Sequence, residues 1–161
     1  MYSFRPPCVL DSTDLKILDI LQDNAAMHVN HIATKVFKSP STTHDRIRRM
    51  EDNGVIKKYV AVLDRRLVGR PTLVVTMVKL NNHAANTLRD FAIAMDQVQE
   101  VQFCLHLSGE FDFLLQVTLC DAQDYAEFLN TKLCCLPMVD RVQSSFVLQE
   151  HKTLAALPLM I

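Results

Sequence analysis

Glycine is scarce in this chain, with three in 161 residues, and no Gly-rich cofactor loop can be assembled from them. No apolar run is long enough to cross a bilayer, although 49% of the residues are apolar. The N-terminal MYSFRPPCVLD has no apolar stretch behind a basic start, so no export signal is expected and the cytoplasm is the expected location. The five cysteines are Cys8, Cys104, Cys120, Cys134 and Cys135, and they form no C-x-x-C or Cys/His ligand spacing. Their number is odd, and the adjacent Cys134 and Cys135 are badly placed to pair. Reduced, mostly buried thiols are expected, with no metal site. Neither a nucleophile–base pair nor a cofactor motif is present, so no enzyme and no cofactor are expected.

Net charge is also nearly absent, at −1, but this conceals an asymmetry. Residues 1–70 hold 12 Lys+Arg against 8 Asp+Glu, whereas residues 71–161 hold 5 against 10. A basic front joined to an acidic back suits a polyanion-binding module attached to something else.

The front half supplies the module. Residues 2–10 read as a loose arm, with Pro6 and Pro7 excluding a helix. Asp11, Ser12 or Thr13 can cap a first helix whose apolar face is Leu15, Ile17, Leu18 and Leu21, ending near Asp23-Asn24. NHIATKVFKSPSTTHDRIRR, residues 30–49, reads as two short helices around a tight turn. Ala33 is small enough for a crossing helix. Ser39 stands at an N-cap with Pro40 at the first helical position. Ile47 and Met50 share one face, Asn53 ends the helix, and Gly54 suits a left-handed cap. Hydroxyls at the start of such a helix can reach bases or phosphates, and arginines further along can hold the DNA backbone. The candidate DNA contacts are Asn30, Ser39, Ser41, Thr42, Thr43, His44, Arg46, Arg48 and Arg49. Replacing Arg46 and Arg49 together by alanine is expected to abolish operator retention while the oligomer survives. Val55–Val62 favours a strand, which lies either near the DNA backbone or as a linker with a lysine-blunted edge.

The back half has another texture. PTLVVTMVKL is a continuous β-rich run, and Ala84–Met95 is an amphipathic helix. Val101–Leu107 and Phe111–Leu119 alternate around Ser108-Gly109-Glu110, as a hairpin does. Asp121 caps a helix through Tyr125, Phe128, Leu129 and Leu133 that Pro137 breaks, and Val142–Leu148 forms a last strand. The expected fold is α+β: a three-helix (winged) helix-turn-helix domain over 10–55, a strand linker over 56–70, a ferredoxin-like βαββαβ domain over 71–152, and a tail over 153–161. Helices on one face leave an apolar second face, so a dimer through this half is expected.

LDSTDLKILDILQDNA, SPSTTHDRIRRMEDNGVIKKYVAVLD and HLSGEFDFLL together resemble the leucine-responsive/asparagine-operon (Lrp/AsnC, feast/famine) transcription regulators, from Leu10-Asp11 to about Lys152. The resemblance implies a homodimer that binds double-stranded DNA and assembles further to a tetramer or octamer, with no membrane. It also implies an amino acid or related small-molecule effector at Leu107, Ser108, Gly109, Glu110, Phe111 and Asp112. There a glycine lets N–H groups approach a carboxylate, and Asp112 receives an ammonium. His106 and, from a neighbour, Ser144 complete the implied set, with His106 fitting equally a place on the sheet face at a subunit contact; from the residues alone Gly109 and Asp112 read as ordinary turn residues.

Two residues depart from the family. Its turn carries Gly then Leu before Ser-Pro; here Phe37 and Lys38 stand in those places. Either the turn is reshaped or the phenyl ring takes the core role of the missing Leu. Asp45 is expected to turn toward Arg48 or Arg49. The competing readings are a haem-pathway (tetrapyrrole) decarboxylase of similar fold, resting on His106 and Asp112, and a nucleoid-organising protein with little sequence preference.

Overall fold

The computed structural model describes residues 9–152 and 156–159; Cys8 and most of the expected N-terminal arm lie outside them. The chain divides into two compact units, one built from the residues up to Ala61 together with those from Lys152, the other from Val62 to His151.

The first unit is three helices, α1 (Ser12–Asp23), α2 (Val29–Lys35) and α3 (Pro40–Asp52). α1 opens with a reciprocal capping box. The Asp14 N–H donates to Asp11 Oδ1 at 2.8 Å, and the Asp11 N–H donates to Asp14 Oδ2 at 3.1 Å. α2 starts at a His28 cap whose Nδ1 accepts the Asn30 N–H at 3.3 Å. α3 starts at Ser39, whose Oγ accepts the Thr42 N–H at 3.2 Å. It ends at Gly54, where φ is 72°. Ile17, Leu21, Ile32, Val36 and Met50 form the core, with Val55 and Ile56 packed under it. Ala33 is buried, as a close helix crossing requires.

α3 is largely polar, so its own apolar face cannot hold it. It is fastened instead by the fully buried carboxylate of Asp14. Arg46 Nη1 donates to Asp14 Oδ1 at 2.8 Å and to Asp11 Oδ2 at 2.7 Å, and Arg49 Nη2 donates to Asp14 Oδ2 at 2.5 Å. A buried carboxylate requires this pairing, because an unpaired charge out of water is costly.

The strand expected over Val55–Val62 does not form: residues 57–64 have no ladder partner among the described residues. β-branched residues favour extended backbone, but a strand needs a neighbour, and Val60 and Val62 stay 59% and 70% exposed. Tyr59 instead reaches back to α3. Its hydroxyl donates to Glu51 Oε1 at 2.8 Å, and burial with that carboxylate pushes the phenol up to about 12.

The second unit is β1 (Thr72–Leu80), α4 (Ala85–Asp96), β2 (Val101–His106), β3 (Phe113–Leu119), α5 (Ala122–Phe128) and β4 (Val139–Phe146). The strands form one antiparallel sheet in the order β2-β3-β1-β4, the ferredoxin-like arrangement. Val74 and Val78 of β1 and Leu115 and Val117 of β3 meet Phe91, Met95, Phe128 and Leu133 in the core. α5 does not run on regularly: it passes into a π-helical turn, Leu129–Leu133, closed by the Cys134 N–H on the Leu129 carbonyl at 2.7 Å. β4 begins earlier than its apolar pattern indicates, because its pairing with β1 shifts between Lys79 and Leu80; Leu148 lies beyond it, 96% exposed. β2 carries a register shift between Val101 and Phe103, which sends Cys104 and His106 toward Leu115 and Phe113. Phe103 and Leu105 are thereby left on the helix-free face, 46% and 49% exposed. The thiols are less buried than expected: Cys120, Cys134 and Cys135 are exposed and Cys104 is half-buried.

Arg46→Ala should destabilise the first unit by about 2–3 kcal/mol in urea unfolding, since it withdraws one of the two arginines that pair a buried carboxylate. Asp11 is held at about 2, chiefly by the Asp14 N–H and then by Arg46. A carboxyl depressed in this way stabilises the fold above its ordinary value of 3.8 and loses that contribution as pH falls toward 2. Asp11→Asn should therefore flatten the loss of stability across this acid window.

Candidate DNA-binding face and effector loop

The outer surface of α2, the turn and α3 is where nucleic acid would dock. Ser39, Ser41 and Thr42 join their hydroxyls at the N-terminus of α3, with Ser39 Oγ 3.1 Å from Ser41 Oγ and 2.8 Å from Thr42 Oγ1. His44 is exposed one turn on, and Asp45 pairs with it at 3.8 Å rather than with Arg48 or Arg49. Arg48 is exposed and has no carboxylate partner among the described residues. Asn30, Lys35 and Lys38 are exposed on α2 and the turn.

Three expected DNA contacts are engaged within the fold: Thr43 faces inward, and Arg46 and the still exposed Arg49 are tied to a carboxylate. Thr43 is fully buried and its hydroxyl has no partner among the described residues. It lies one turn before Ile47 on the same inner face, a spacing of four that the pattern already contained. Arg46 and Arg49 are turned onto Asp14. The signal was the matching D-x-x-D at 11–14 and R-x-x-R at 46–49, each placing two charges on one helical face.

The turn keeps its shape despite Phe37. Its φ is 55°, the Lys38 N–H donates to the Ala33 carbonyl at 3.0 Å, and the Phe37 N–H donates to Thr34 at 3.3 Å. These are the paired bonds of a helix C-terminus that glycine usually closes. The ring does not enter the core: Phe37 is 91% exposed.

In the second unit the β2–β3 loop is pinned at its base. The Leu107 N–H donates to the Asp112 carbonyl at 2.8 Å, and the Asp112 N–H donates to Val78 at 2.9 Å. The Asp112 carboxylate is buried; Oδ2 accepts the Leu80 N–H at 2.8 Å, and Oδ1 lies 2.9 Å from Nε2 of the exposed His83. Arg141 pairs with Glu110 at 3.1 Å and lies over the Phe111 ring at 5.3 Å. Gly109, at φ 136°, makes the turn, and the N–H groups of Ser108, Gly109 and Glu110 have no partner among the described residues. Consecutive unpaired N–H groups in a turn are the kind of donor set that backbone anion sites use.

His106 stacks on Phe113, with centroids 5.1 Å apart, beside the loop. Ser144 is elsewhere. Paired in register with Thr76, it faces the helices, where its hydroxyl meets that of Tyr125, and Tyr125 in turn bonds Thr76 Oγ1 at 2.8 Å. Register with Thr76, not its polarity, decides its place. His83 and Arg141 were absent from the sequence-based set because neither is near the loop in sequence.

A winged helix-turn-helix DNA-binding domain matches residues 10–57, and an Lrp/AsnC ligand binding domain matches residues 73–157. These define a DNA-binding transcriptional regulator with a ligand-binding domain. The chain belongs to the Lrp/AsnC family. It is 34% identical over 143 residues to the leucine-responsive regulatory protein of Haemophilus influenzae, covering 89% of this chain and 86% of that one. It is 32% identical to a proline dehydrogenase transcriptional activator of Rhizobium radiobacter, covering 89% and 92%. Among solved structures, a Neisseria meningitidis transcriptional regulator in complex with L-methionine superposes with a TM-score of 0.88 at 34% identity, covering 94% of this chain and 98% of that one.

Thr43→Val should stabilise the first unit by about 1 kcal/mol, by removing an unpaired buried hydroxyl, and leave DNA retention unchanged. Arg48→Ala should weaken retention and lower the salt slope of binding by about 1, with melting unchanged.

Proposed function

We infer that this chain is a sequence-specific, oligomeric transcription regulator whose hold on DNA is tuned by an amino acid or close relative. It acts in the cytoplasm by binding and not by catalysis. Residues 10–55 are its DNA module, 56–70 its linker, 71–152 its effector and assembly module, and 153–161 a tail. Asn30, Ser39, Ser41, Thr42, His44 and Arg48 are its DNA contacts, joined by Lys35 and Lys38.

The effector reading rests on one observation: the loop carries three N–H groups, at Ser108–Glu110, without a partner among the described residues, and is closed by a buried carboxylate whose Oδ1 meets the exposed His83. The N–H groups suit the α-carboxylate. The α-ammonium would take Asp112 Oδ1 in place of His83. Leu107 and His106 flank the side chain. The L-methionine complex of the Neisseria relative accords with this chemistry.

Dimerisation uses the helix-free face of the sheet, where the half-exposed Phe103 and Leu105 stand beside Leu114, Val75 and Met77. Further assembly to a tetramer or octamer brings loops of different dimers together. A two-fold dimer carries two recognition helices into successive major grooves, so its operator is close to palindromic.

A thermal-shift screen against the twenty amino acids tests the effector assignment. A ligand at 100 times its Kd should raise stability by about 2.7 kcal/mol. Asp112→Asn, which keeps an acceptor for the Leu80 N–H, should erase that rise. A flat screen removes amino acids as the effector class, and a rise that survives Asp112→Asn removes Asp112 from the contacts.

A further inference from the structure

We propose that Phe37 touches DNA, reading a thymine methyl group beside the recognition helix. The backbone at this residue is strained. Among the described residues it is the non-glycine with positive φ, at 55°. The bonds from Phe37 to Thr34 and from Lys38 to Ala33 fix the turn on both sides. Glycine would adopt this geometry freely, whereas a side chain with a Cβ resists it. The ring does nothing to offset that strain within the fold, since it is 91% exposed to water. Strain and exposure in one residue, at a turn the backbone over-determines, point to a role outside the folded chain.

The surroundings specify the partner. Lys35 and Lys38 stand within two residues of Phe37 in the chain and are both exposed, and the Ser39–Ser41–Thr42 hydroxyl cluster begins two residues later. A phenyl ring bordered by cations and by the N-terminus of a recognition helix fits a polyanionic duplex. A second apolar protein surface would have to desolvate both lysines. The N-terminus of such a helix enters the major groove, and its preceding turn is carried to the groove wall. The apolar feature presented there is the C5-methyl of thymine, which aromatic and small apolar side chains contact.

The proposal rests on the DNA-binding role of the head and can fail without it. Duplexes enriched from a random pool by the full-length protein serve as the probe. Phe37→Gly removes both ring and strain, and Phe37→Ala removes the ring alone. Phe37→Gly should melt about 2–4 °C higher than the parent. Both variants should bind the enriched duplex about tenfold more weakly. Exchanging thymines one at a time for deoxyuridine should reveal a position where loss of the methyl weakens the parent about threefold to tenfold and leaves both variants unaffected. Parental affinity in Phe37→Gly overturns the proposal, as does methyl loss that acts alike on parent and variants. If Phe37→Gly fails to fold, the deoxyuridine comparison of parent with Phe37→Ala decides the matter by the same criterion. A parent that enriches no duplex overturns DNA recognition as a whole, and this contact with it.

Discussion

The Asp14 carboxylate, buried at the start of α1 and gripped by Arg46 and Arg49, is the interaction on which the head depends. α3 has too few apolar residues to pack itself against α1 and α2 by burial alone, so an ion cluster completes the attachment. The same carboxylate closes the capping box of α1. One side chain thus sets where the first helix begins and how the third is rotated. That rotation directs Ser41, Thr42, His44 and Arg48 outward and Thr43 inward. The two arginines that hold α3 in this rotation thus act on its outer face from within the fold.

The second unit uses a buried carboxylate in a different way. Asp112 ties the hairpin loop to the end of β1 through the Leu80 N–H, and only an exposed imidazole covers its other oxygen. Arg141 braces the loop from β4 through Glu110 and Phe111. A loop held at both ends keeps its conformation, because the ordering entropy is already spent in folding. The register shift in β2 serves the other face by turning Phe103 and Leu105 away from the helices.

Much of this architecture was legible in the chain. The caps at Asp11 and Ser39, the left-handed Gly54, the helix-turn-helix and the βαββαβ order all follow from local rules: side-chain oxygens before a helix, periods of 3.6 and 2, and glycine where φ is positive. The DNA face was half legible. Charge and hydroxyl content marked α3, but Arg46 and Arg49 look like DNA contacts until Asp14 is known to sit beneath them. The linker read as a strand because β propensity describes backbone preference and not the presence of a partner.

By itself, the sequence determined the helices and the sheet strands, their order and the basic character of α3, because each rests on neighbours within a few residues along the chain. The tertiary structure alone decided which charges are free. Arg46 and Arg48 are chemically identical and two residues apart, yet one is held by a carboxylate 32 residues away and the other faces water. The same holds for Ser144, drawn under α5 by its register with Thr76, and for Asp112, whose imidazole partner comes from the connection between β1 and α4. Pairing across such distances depends on how helices rotate and strands slip against one another. A single residue of slip reverses the face, and nothing local in the chain records it.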